Sequence, residues 1–238
     1  MNRKKLSPIW IVIFLLIISN IVSGRFADPG QWIMSKLMML PAILIGLCFH
    51  EFAHGAVSYM LGDPTPKLQG RLTLNPLAHI DFFGFFALIF AGFGWGKPVE
   101  IDPRYYKHRR RDEFLVAAAG VTMNLILAVL FAIIIKVIFM VNPMFMAGRL
   151  GAIIIEILRN IIFINIVLMV FNLLPVPPLD GFGICSEIFN LRKYSWYYTL
   201  YNYGGLILMA LVLFNITGLI LSPIVGSIYS LIVNTIIF

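Results

Sequence analysis

The sequence predicts an all-α polytopic membrane protein with about six transmembrane helices and a small β-hairpin or re-entrant segment. Of its 238 residues, 60% are hydrophobic and 12% are charged, and the mean hydropathy is +0.92. These values are far from those of a soluble domain. Lys and Arg cluster at the ends of the apolar runs, so membrane topology explains the net charge of +7 without nucleic acid.

The first two spans precede most of the polar residues. The basic segment Asn2-Arg3-Lys4-Lys5 leads into the apolar run Ile9 to Val22, which lacks an A-x-A-type cleavage site. We therefore expect an uncleaved first span with a cytosolic N-terminus. A link reaches residue 32, and the second span runs from Ile33 to Leu61. Gly62-Asp63-Pro64 ends this span, because glycine and proline there stop a helix.

Residues 63–113 form the longest stretch without a span. Lys67 to Leu74 alternates polar and apolar residues and predicts an amphipathic strand or hairpin. Asp81 to Trp95 is apolar but short and interrupted by glycine, which favours a re-entrant or interfacial segment. Arg104 to Arg111 holds five Lys or Arg among eight residues. Because a span follows at once, we expect this segment to bind lipid headgroups rather than nucleic acid.

Four further apolar runs supply the remaining spans. They extend from Phe114 to Met140, from about Leu150 to Leu174, from Gly204 to Leu221 and from Pro223 to Phe238. Lys136 lies near the outer end of the first of these runs, where its long side chain can reach the interface. Six spans with both termini cytosolic place the basic loops on one side of the cell membrane, as the positive-inside rule requires. Residues 1–238 then form a single membrane domain.

The motif His50-Glu51-Phe52-Ala53-His54 lies inside the second span. Residues four apart on a helix share one face, so His50 and His54 can offer two imidazole nitrogens to one ion. Zinc accepts this arrangement, and Glu51 beside the pair can deprotonate a metal-bound water. Charged groups in hydrocarbon are costly unless they are paired, metal-bound or facing a cavity. The motif therefore favours a metal site over two histidines that only pack in a buried helix.

A third protein ligand has to come from elsewhere in the chain. Asp180 follows the fourth span, at the side of the membrane where the second span also ends. The preceding Pro175-Val176-Pro177-Pro178 cannot continue a helix, and broken backbone inside a membrane protein typically lines a site. Asp180 is therefore the favoured ligand. Asp63, His79 and Asp81 are the alternatives.

Three motifs in this order, HEFAH, GRLTLNPLAHID and NLLPVPPLDG, resemble those of the site-2 protease family of intramembrane zinc metalloproteases. The resemblance extends from about Ile33 to Phe182. It implies a three-helix catalytic core within residues 33–182, preceded by a first span and link and followed by two C-terminal spans in residues 183–238. It also implies one Zn²⁺ per chain, held by His50, His54 and Asp180, with Glu51 as the catalytic glutamate.

The same resemblance identifies a substrate class. It implies hydrolysis of peptide bonds within or near the transmembrane segments of membrane proteins, at a site near the cytosolic side. The stretch outside the spans is too short for a PDZ domain, so we expect a compact member without PDZ or CBS domains. The expected partners are a membrane-spanning substrate, the lipid bilayer and a regulatory membrane protein, with no nucleic acid.

Three asparagines are candidates for substrate contact. Relatives carry a small residue and an Asn near the start of the middle core helix, and this chain keeps Gly120 and Asn124 but lacks the accompanying proline. The resemblance therefore implies that Asn124 lies near the substrate carbonyl. Asn75 either contacts substrate or makes the turn before Pro76. Asn172 either contacts substrate or orients the broken segment that carries Asp180.

Two other functions are compatible with a metal site in a membrane. A zinc transporter needs ligands along a path across the bilayer, whereas the polar residues here converge at one depth. A non-catalytic scaffold that binds membrane helices does not require Glu51, because a structural zinc closes its fourth position with protein. The sequence therefore favours hydrolysis over both.

Overall fold

The computed structural model describes residues 8–24 and 26–238, and the basic segment Asn2 to Lys5 lies outside them. Within these ranges the chain forms eleven α-helices. They are α1 (Pro8–Val22), α2 (Pro29–Met60), α3 (Thr65–Leu68), α4 (Pro76–His79), α5 (Phe82–Ala91), α6 (Arg109–Val141), α7 (Pro143–Ala147), α8 (Arg149–Asn172), α9 (Asp180–Phe189), α10 (Trp196–Leu213) and α11 (Ile216–Ile232). Short 3₁₀ turns lie between α5 and α6, at Pro103–Tyr105, and between α9 and α10, at Leu191–Lys193. A π-helical turn at Val233–Ile237 extends α11.

Four of the described helices are long and apolar enough to cross a membrane: α2, α6, α8 and the continuous helix Ile216–Ile237. The prediction of six spans is therefore confirmed only in part. α1 is shorter, and α10 begins with polar aromatic residues that lower its hydropathy. The predicted break before Pro223 is wrong, because α11 continues through this proline. The chain turns instead at Asn215, which adopts the left-handed conformation (φ 55°) that asparagine tolerates.

The three helices α2, α6 and α8 pack against one another and form the centre of the bundle. Asp28 begins α2 by accepting a hydrogen bond from the Gln31 amide, directly before Pro29. Farther along α6, Ala128 and Ala132 are fully buried and let the neighbouring helices approach closely. α11 covers this apolar part of the core.

The predicted strand or hairpin at Lys67 to Leu74 is wrong. No strand occurs in the described residues, and the segment instead forms the end of α3 followed by turns. Two prolines explain the difference, because Pro64 and Pro66 pre-set a helical first turn. The nearest approach to β-structure is an isolated antiparallel bridge between Ile80 and Gly96.

The segment Asp81 to Trp95, predicted to be re-entrant or interfacial, folds back on itself. Asp81 begins α5 by accepting a hydrogen bond from the Gly84 amide, and α5 ends at Gly92 in the left-handed conformation (φ 77°). The returning chain then packs Trp95 against Gly84, where a Cβ atom would lie 2.9 Å from the indole ring. Only glycine permits this close return.

The C-terminal end of the chain packs against the far part of α6. Lys136 Nζ donates a hydrogen bond to the carbonyl oxygen of Ile237. Lys136 lies 12 residues beyond Asn124, or about 18 Å along a helix, and Asn124 contacts His50. The end of the chain therefore lies away from the histidines. The predicted cytosolic position of both termini stays a prediction.

Candidate metal centre

The two motif histidines point to one place on α2. Their Nε2 atoms are 3.1 Å apart, and the two rings meet edge to face. One helical turn separates the residues, as the spacing of four predicts. Both side chains are largely buried between α2 and α6.

Asp180 reaches the same place from the segment that follows α8. It is the first residue of α9, directly after the Pro-rich segment that contains the cis peptide bond between Pro177 and Pro178. Its Oδ2 atom lies 3.3 Å from Nε2 of His50 and 3.3 Å from Nε2 of His54. The structure thus brings together the three residues that the sequence favours as ligands.

Hydrogen bonds on the opposite ring nitrogens orient both histidines. His54 Nδ1 lies 2.7 Å from the Val116 carbonyl oxygen, which only accepts, so this nitrogen carries the proton. The Asn124 amide group donates to Gly46 O and to Asn165 Oδ1, which leaves its Oδ1 to accept from His50 Nδ1 at 2.7 Å. Both Nε2 atoms therefore present lone pairs, and such partners typically fix a metal-binding histidine.

Three acceptors that face one another can hold a cation. The Oδ2 atom of Asp180 is buried and has no hydrogen-bond partner. The separations of 3.1 to 3.3 Å among the three atoms match a tetrahedral site with bonds of about 2.0–2.1 Å, whose edges are about 3.3 Å. The donor set of two imidazoles and one carboxylate suits zinc.

The alternative ligands have other roles. Asp63 accepts hydrogen bonds from Ser58 and from two backbone amides. His79 Nε2 contacts the Thr73 carbonyl oxygen, and Asp81 caps α5. In residues 8–24 and 26–238, His50, His54 and Asp180 are the group whose ligand atoms converge.

Glu51 and the three ligands border one cavity of about 380 Å³. Glu51 Oε2 accepts a hydrogen bond of 2.9 Å from the Val99 amide. Val99 belongs to the segment Lys97 to Ile101, which has no regular secondary structure and lines the cavity with Pro98, Val99 and Ile101. The carboxylate is therefore held beside the metal ligands by backbone rather than by a cationic side chain.

An ion cluster and aromatic rings also line the cavity. Arg192 pairs with Glu113 of α6 and, at 2.9 Å, with Glu187 of α9. Burial is the main cause that raises the pKa of Glu187. Phe182 stacks on Tyr197 at a centroid distance of 5.4 Å. The ring of Tyr197 and this cluster tie α9 to the start of α10 beside the site.

Comparison with known proteins gives the family. A protein named "Putative zinc metalloprotease YwhC" in Bacillus subtilis (strain 168) is 34% identical over 201 residues, covering 83% of this chain and 91% of the relative. The chain belongs to Peptidase family M50. The family model of that description matches residues 138–214. The resemblance drawn from the motifs is confirmed.

Further relatives of this M50 peptidase are mycobacterial. "Putative zinc metalloprotease Rip2" of Mycolicibacterium smegmatis (strain ATCC 700084 / mc(2)155) is 28% identical over 216 residues, covering 84% of this chain and 79% of the relative. The protein of the same name in Mycobacterium tuberculosis (strain ATCC 25618 / H37Rv) is 29% identical over 169 residues, covering 68% and 61%. No solved structure gives a significant match.

The three candidate asparagines lie in different places in this M50 peptidase. Asn124 is fully buried and contacts His50, so it orients a ligand in this structure. Asn172 borders the cavity and donates to the Leu168 carbonyl oxygen. Asn75 is exposed and caps α4 by accepting from the Leu77 amide. The structure does not bring Asn75 together with the other two.

Two functional positions escape the sequence analysis. Asn165 of α8 is fully buried and accepts a hydrogen bond of 2.8 Å from Asn124. Its position in an apolar span is a signal that could have found it, because such polar residues need a partner. The Val99 amide that holds Glu51 gives no signal, since every residue except proline has the same donor.

Gly120 lets α6 reach the histidines. A Cβ atom at this position would lie 2.7 Å from His50 Nδ1 and still closer to His54 Nε2. A Cβ atom essentially never approaches another heavy atom this closely. The glycine that the family resemblance singles out is therefore required by the geometry of the ligands.

Proposed function

We propose that this M50 peptidase is an intramembrane zinc metalloprotease that hydrolyses peptide bonds within or near transmembrane segments of membrane proteins. The convergence of three acceptor atoms of His50, His54 and Asp180, with Nδ1 of each ring already donating, carries the proposal. One Zn²⁺ per chain fits this donor set. Glu51 borders the same cavity, where a hydrolytic site needs its carboxylate.

The residues around the site divide the chemistry among them. Zinc, when bound, polarises a carbonyl oxygen and lowers the pKa of water to about 7. Glu51 takes the proton of the attacking water and delivers it to the leaving amine. The Val99 amide holds one oxygen of Glu51 and leaves the other for this exchange. Asn124 and Val116 keep the two rings in the tautomer that binds metal.

The depth of the site supports a membrane-spanning substrate. His54 lies six residues before the end of α2 at Met60, which is about 9 Å along the helix. We place this end toward the cytosol, in the cell membrane, because the basic segment Arg104 to Arg111 leads into α6 there. A helical substrate hides its carbonyl groups in hydrogen bonds to the residue four positions on. It has to unwind before Glu51 acts.

The segment Lys97 to Ile101 is the part of the chain best placed to bind an unwound substrate. It borders the cavity next to Glu51, whereas Lys67 to Leu74 does not form the strand predicted for this purpose. Transport and a purely structural role find less support, because the described residues contain one converging ligand group and an accessible carboxylate beside it.

The Glu51→Gln variant tests the proposed reaction. We expect it to retain one zinc per chain by elemental analysis while cleavage of a reporter spanning segment falls by at least about 10²-fold, a typical contribution of a general base. Glu100→Gln is the matched control, because Glu100 is exposed and bonds to Gln69 rather than to the site. Cleavage at the normal rate in Glu51→Gln would overturn the role of Glu51.

A second pair of variants tests the third ligand. Asp180→Asn removes the negative charge from the donor set, so zinc retention should fall by at least about tenfold and activity with it. Asp81→Asn should retain zinc, because asparagine also caps a helix. Normal zinc content in Asp180→Asn, or zinc loss in Asp81→Asn, would assign the ligand elsewhere.

A further inference from the structure

A second cavity, of about 310 Å³, lies between α2, α5 and α8. Its lining is mainly apolar, with Lys36 at the end of α2 that is farther from the histidines. The lining includes Ile43 and Leu47 of α2, Leu88 of α5, and Ile164 and Leu168 of α8. For comparison, an apolar cavity of about 150 Å³ holds a benzene molecule. The space is therefore large enough for a Leu, Phe or Trp side chain.

The apolar cavity and the metal cavity lie next to each other along the same helices. On α2, Leu47 borders the first and His50 the second. On α8, Leu168 borders the first and Asn172 the second, and Asn172 bonds to the Leu168 carbonyl. The offset between these neighbours is three to four residues, or about 4.5–6 Å at 1.5 Å per residue.

One continuous segment also forms a wall of both cavities. Gly94, Trp95 and Gly96 border the apolar cavity, whereas Pro98, Val99 and Ile101 border the metal cavity. This wall is fixed in place by close packing. A Cβ atom at Gly96 would lie 3.0 Å from Leu47, and one at Gly94 would lie 2.7 Å from Leu88. The apolar cavity is therefore preformed beside the segment whose Val99 amide bonds to Glu51.

The spacing relates the apolar cavity to the position of the cut. Its α2 lining extends from Lys36 to Leu47. The end nearest the ligands, Leu47, lies three residues before His50, or about 4.5 Å along the helix. An extended chain advances about 3.3 Å per residue. Two residues of an extended substrate span about 6.6 Å, which exceeds the distance to Leu47. A substrate unwound along the shared wall therefore carries its side chain two residues from the cleaved bond past Leu47 and into the near end of this cavity.

We propose that the apolar cavity is a specificity subsite for a bulky apolar side chain of the substrate, two residues from the cleaved bond. The proposal rests on the proposed proteolytic function and adds a preference to it. A substrate side chain enters from the metal cavity along the wall Gly94 to Ile101. Leu, Phe or Trp at that position fills the space, whereas Ala leaves it unfilled and loses the packing.

The test uses the full chain in proteoliposomes and a reporter protein with one spanning segment whose cut is mapped by mass spectrometry. The second residue on each side of the cut is set in turn to Ala, Leu or Phe. We expect kcat/KM to be at least about tenfold higher for Leu or Phe than for Ala on one side of the cut. In the Glu51→Gln variant, uncut reporters should bind in the same order.

Two cavity variants and one control sharpen the test. Ile164→Phe fills the space and should lower kcat/KM for the Leu and Phe reporters by about tenfold while the Ala reporter stays within about twofold. Ile153→Phe places the same side chain on α8 at a position that is 37% exposed, and it should change none of the rates. Leu88→Ala enlarges the space and should extend the preference to a Trp reporter, which keeps the test valid if Ile164→Phe does not fold.

Three results would overturn the subsite. One is efficient cleavage by the wild type with no preference at either second position. Another is an equal loss for every reporter in Ile164→Phe together with no new preference in Leu88→Ala. The third is a co-purified phospholipid that Ile164→Phe displaces with unchanged preference, which assigns the cavity to an acyl chain. Failure of the wild type to cut any reporter would instead overturn the proposed function.

Discussion

The two halves of the core formed by α2, α6 and α8 are held together by different interactions. In the half that carries the ligands, His50, Asn124 and Asn165 form a buried chain of hydrogen bonds across the three helices. In the other half, Ala132 and Ile162 are fully buried in a cluster of aliphatic side chains. One core thus combines a polar network and an apolar cluster only a few helical turns apart.

This difference shows in which half of the core the metal site restricts the choice of side chains. Apolar packing tolerates other side chains of similar volume. A buried polar group is costly unless every donor and acceptor has a partner, so the polar half accepts few changes. We therefore expect substitutions in the polar half to remove metal binding and activity, and substitutions in the apolar half to lower stability while the metal site persists.

Gly120→Ala should have the largest effect, because it forces α6 away from both histidines. The added methyl group overlaps ligand side chains that hydrogen bonds hold in place. We expect zinc binding and cleavage to fall by more than about 10²-fold, measured by elemental analysis and by reporter cleavage. Gly226→Ala is the matched control, because a Cβ atom there meets nothing within 4 Å. Normal zinc content in Gly120→Ala would mean that α6 moves without cost.

Ile162→Ala should have the next largest effect, and in the apolar half. Ile162 is fully buried, so its truncation should lower the free energy of unfolding by about 2–3 kcal/mol, the lower part of the range for such changes. The lower part applies because lipid also solvates the unfolded apolar side chain, which leaves mainly the loss of packing. The measurement is denaturant unfolding in detergent, with zinc per folded chain unchanged. Equal stability of Ile162→Ala and the exposed Ile153→Ala would contradict the comparison.

Asn124→Ala tests the polar half by a smaller change. It removes the acceptor for His50 Nδ1, and loss of such a partner typically weakens metal binding by about 10–100-fold. Asn124→Asp keeps this acceptor but cannot donate to Gly46 or Asn165. It should therefore bind zinc more tightly than Asn124→Ala while it unfolds more easily than the wild type. If both variants bound zinc like the wild type, Asn124 would serve packing alone.

The same comparison shows which parts of the site can be predicted from the sequence. His50, Glu51 and His54 follow from a helical repeat of four, and Asp180 follows from broken backbone after a span. The structure adds that these residues lie around one cavity. The place of Asn124 could not be read from the chain, because a hydrogen bond across two helices depends on their relative rotation. That rotation is set by contacts such as Gly120 against the histidines.

Where the fold predicted from the sequence differs from the structure, the difference has a local physical cause. The alternation at Lys67 to Leu74 fits a strand, but two prolines and the absence of a pairing partner favour a short helix. The sequence predicts a break at Pro223, and this prediction misplaces the boundary between the C-terminal spans. A proline in the interior of a helix removes one hydrogen bond, and neighbouring helices in a membrane compensate for it. Asn215 marks the true turn.

A second buried polar cluster, outside the spans, gives the smallest expected effect. Asp63 is fully buried and accepts hydrogen bonds from Ser58 and from the amides of Thr65 and Asp102. Burial opposes ionisation of Asp63, but these hydrogen bonds outweigh it and lower its pKa below the ordinary 3.8. The stability that the carboxylate contributes is therefore fully present above about pH 5 and is lost as the pH falls through the lowered value.

Asp63→Asn should show this loss as a difference in Tm. At pH 7 the variant should melt a few degrees below the wild type, since about 1 kcal/mol corresponds to about 2–4 °C for a chain of this size. The gap should shrink as the pH falls from 5 toward 2, because the wild type then becomes protonated as well. Zinc content at pH 7 should not change, which separates this cluster from the ligand half of the core. A gap that stayed constant with pH would show that shape, rather than charge, is what Asp63 contributes.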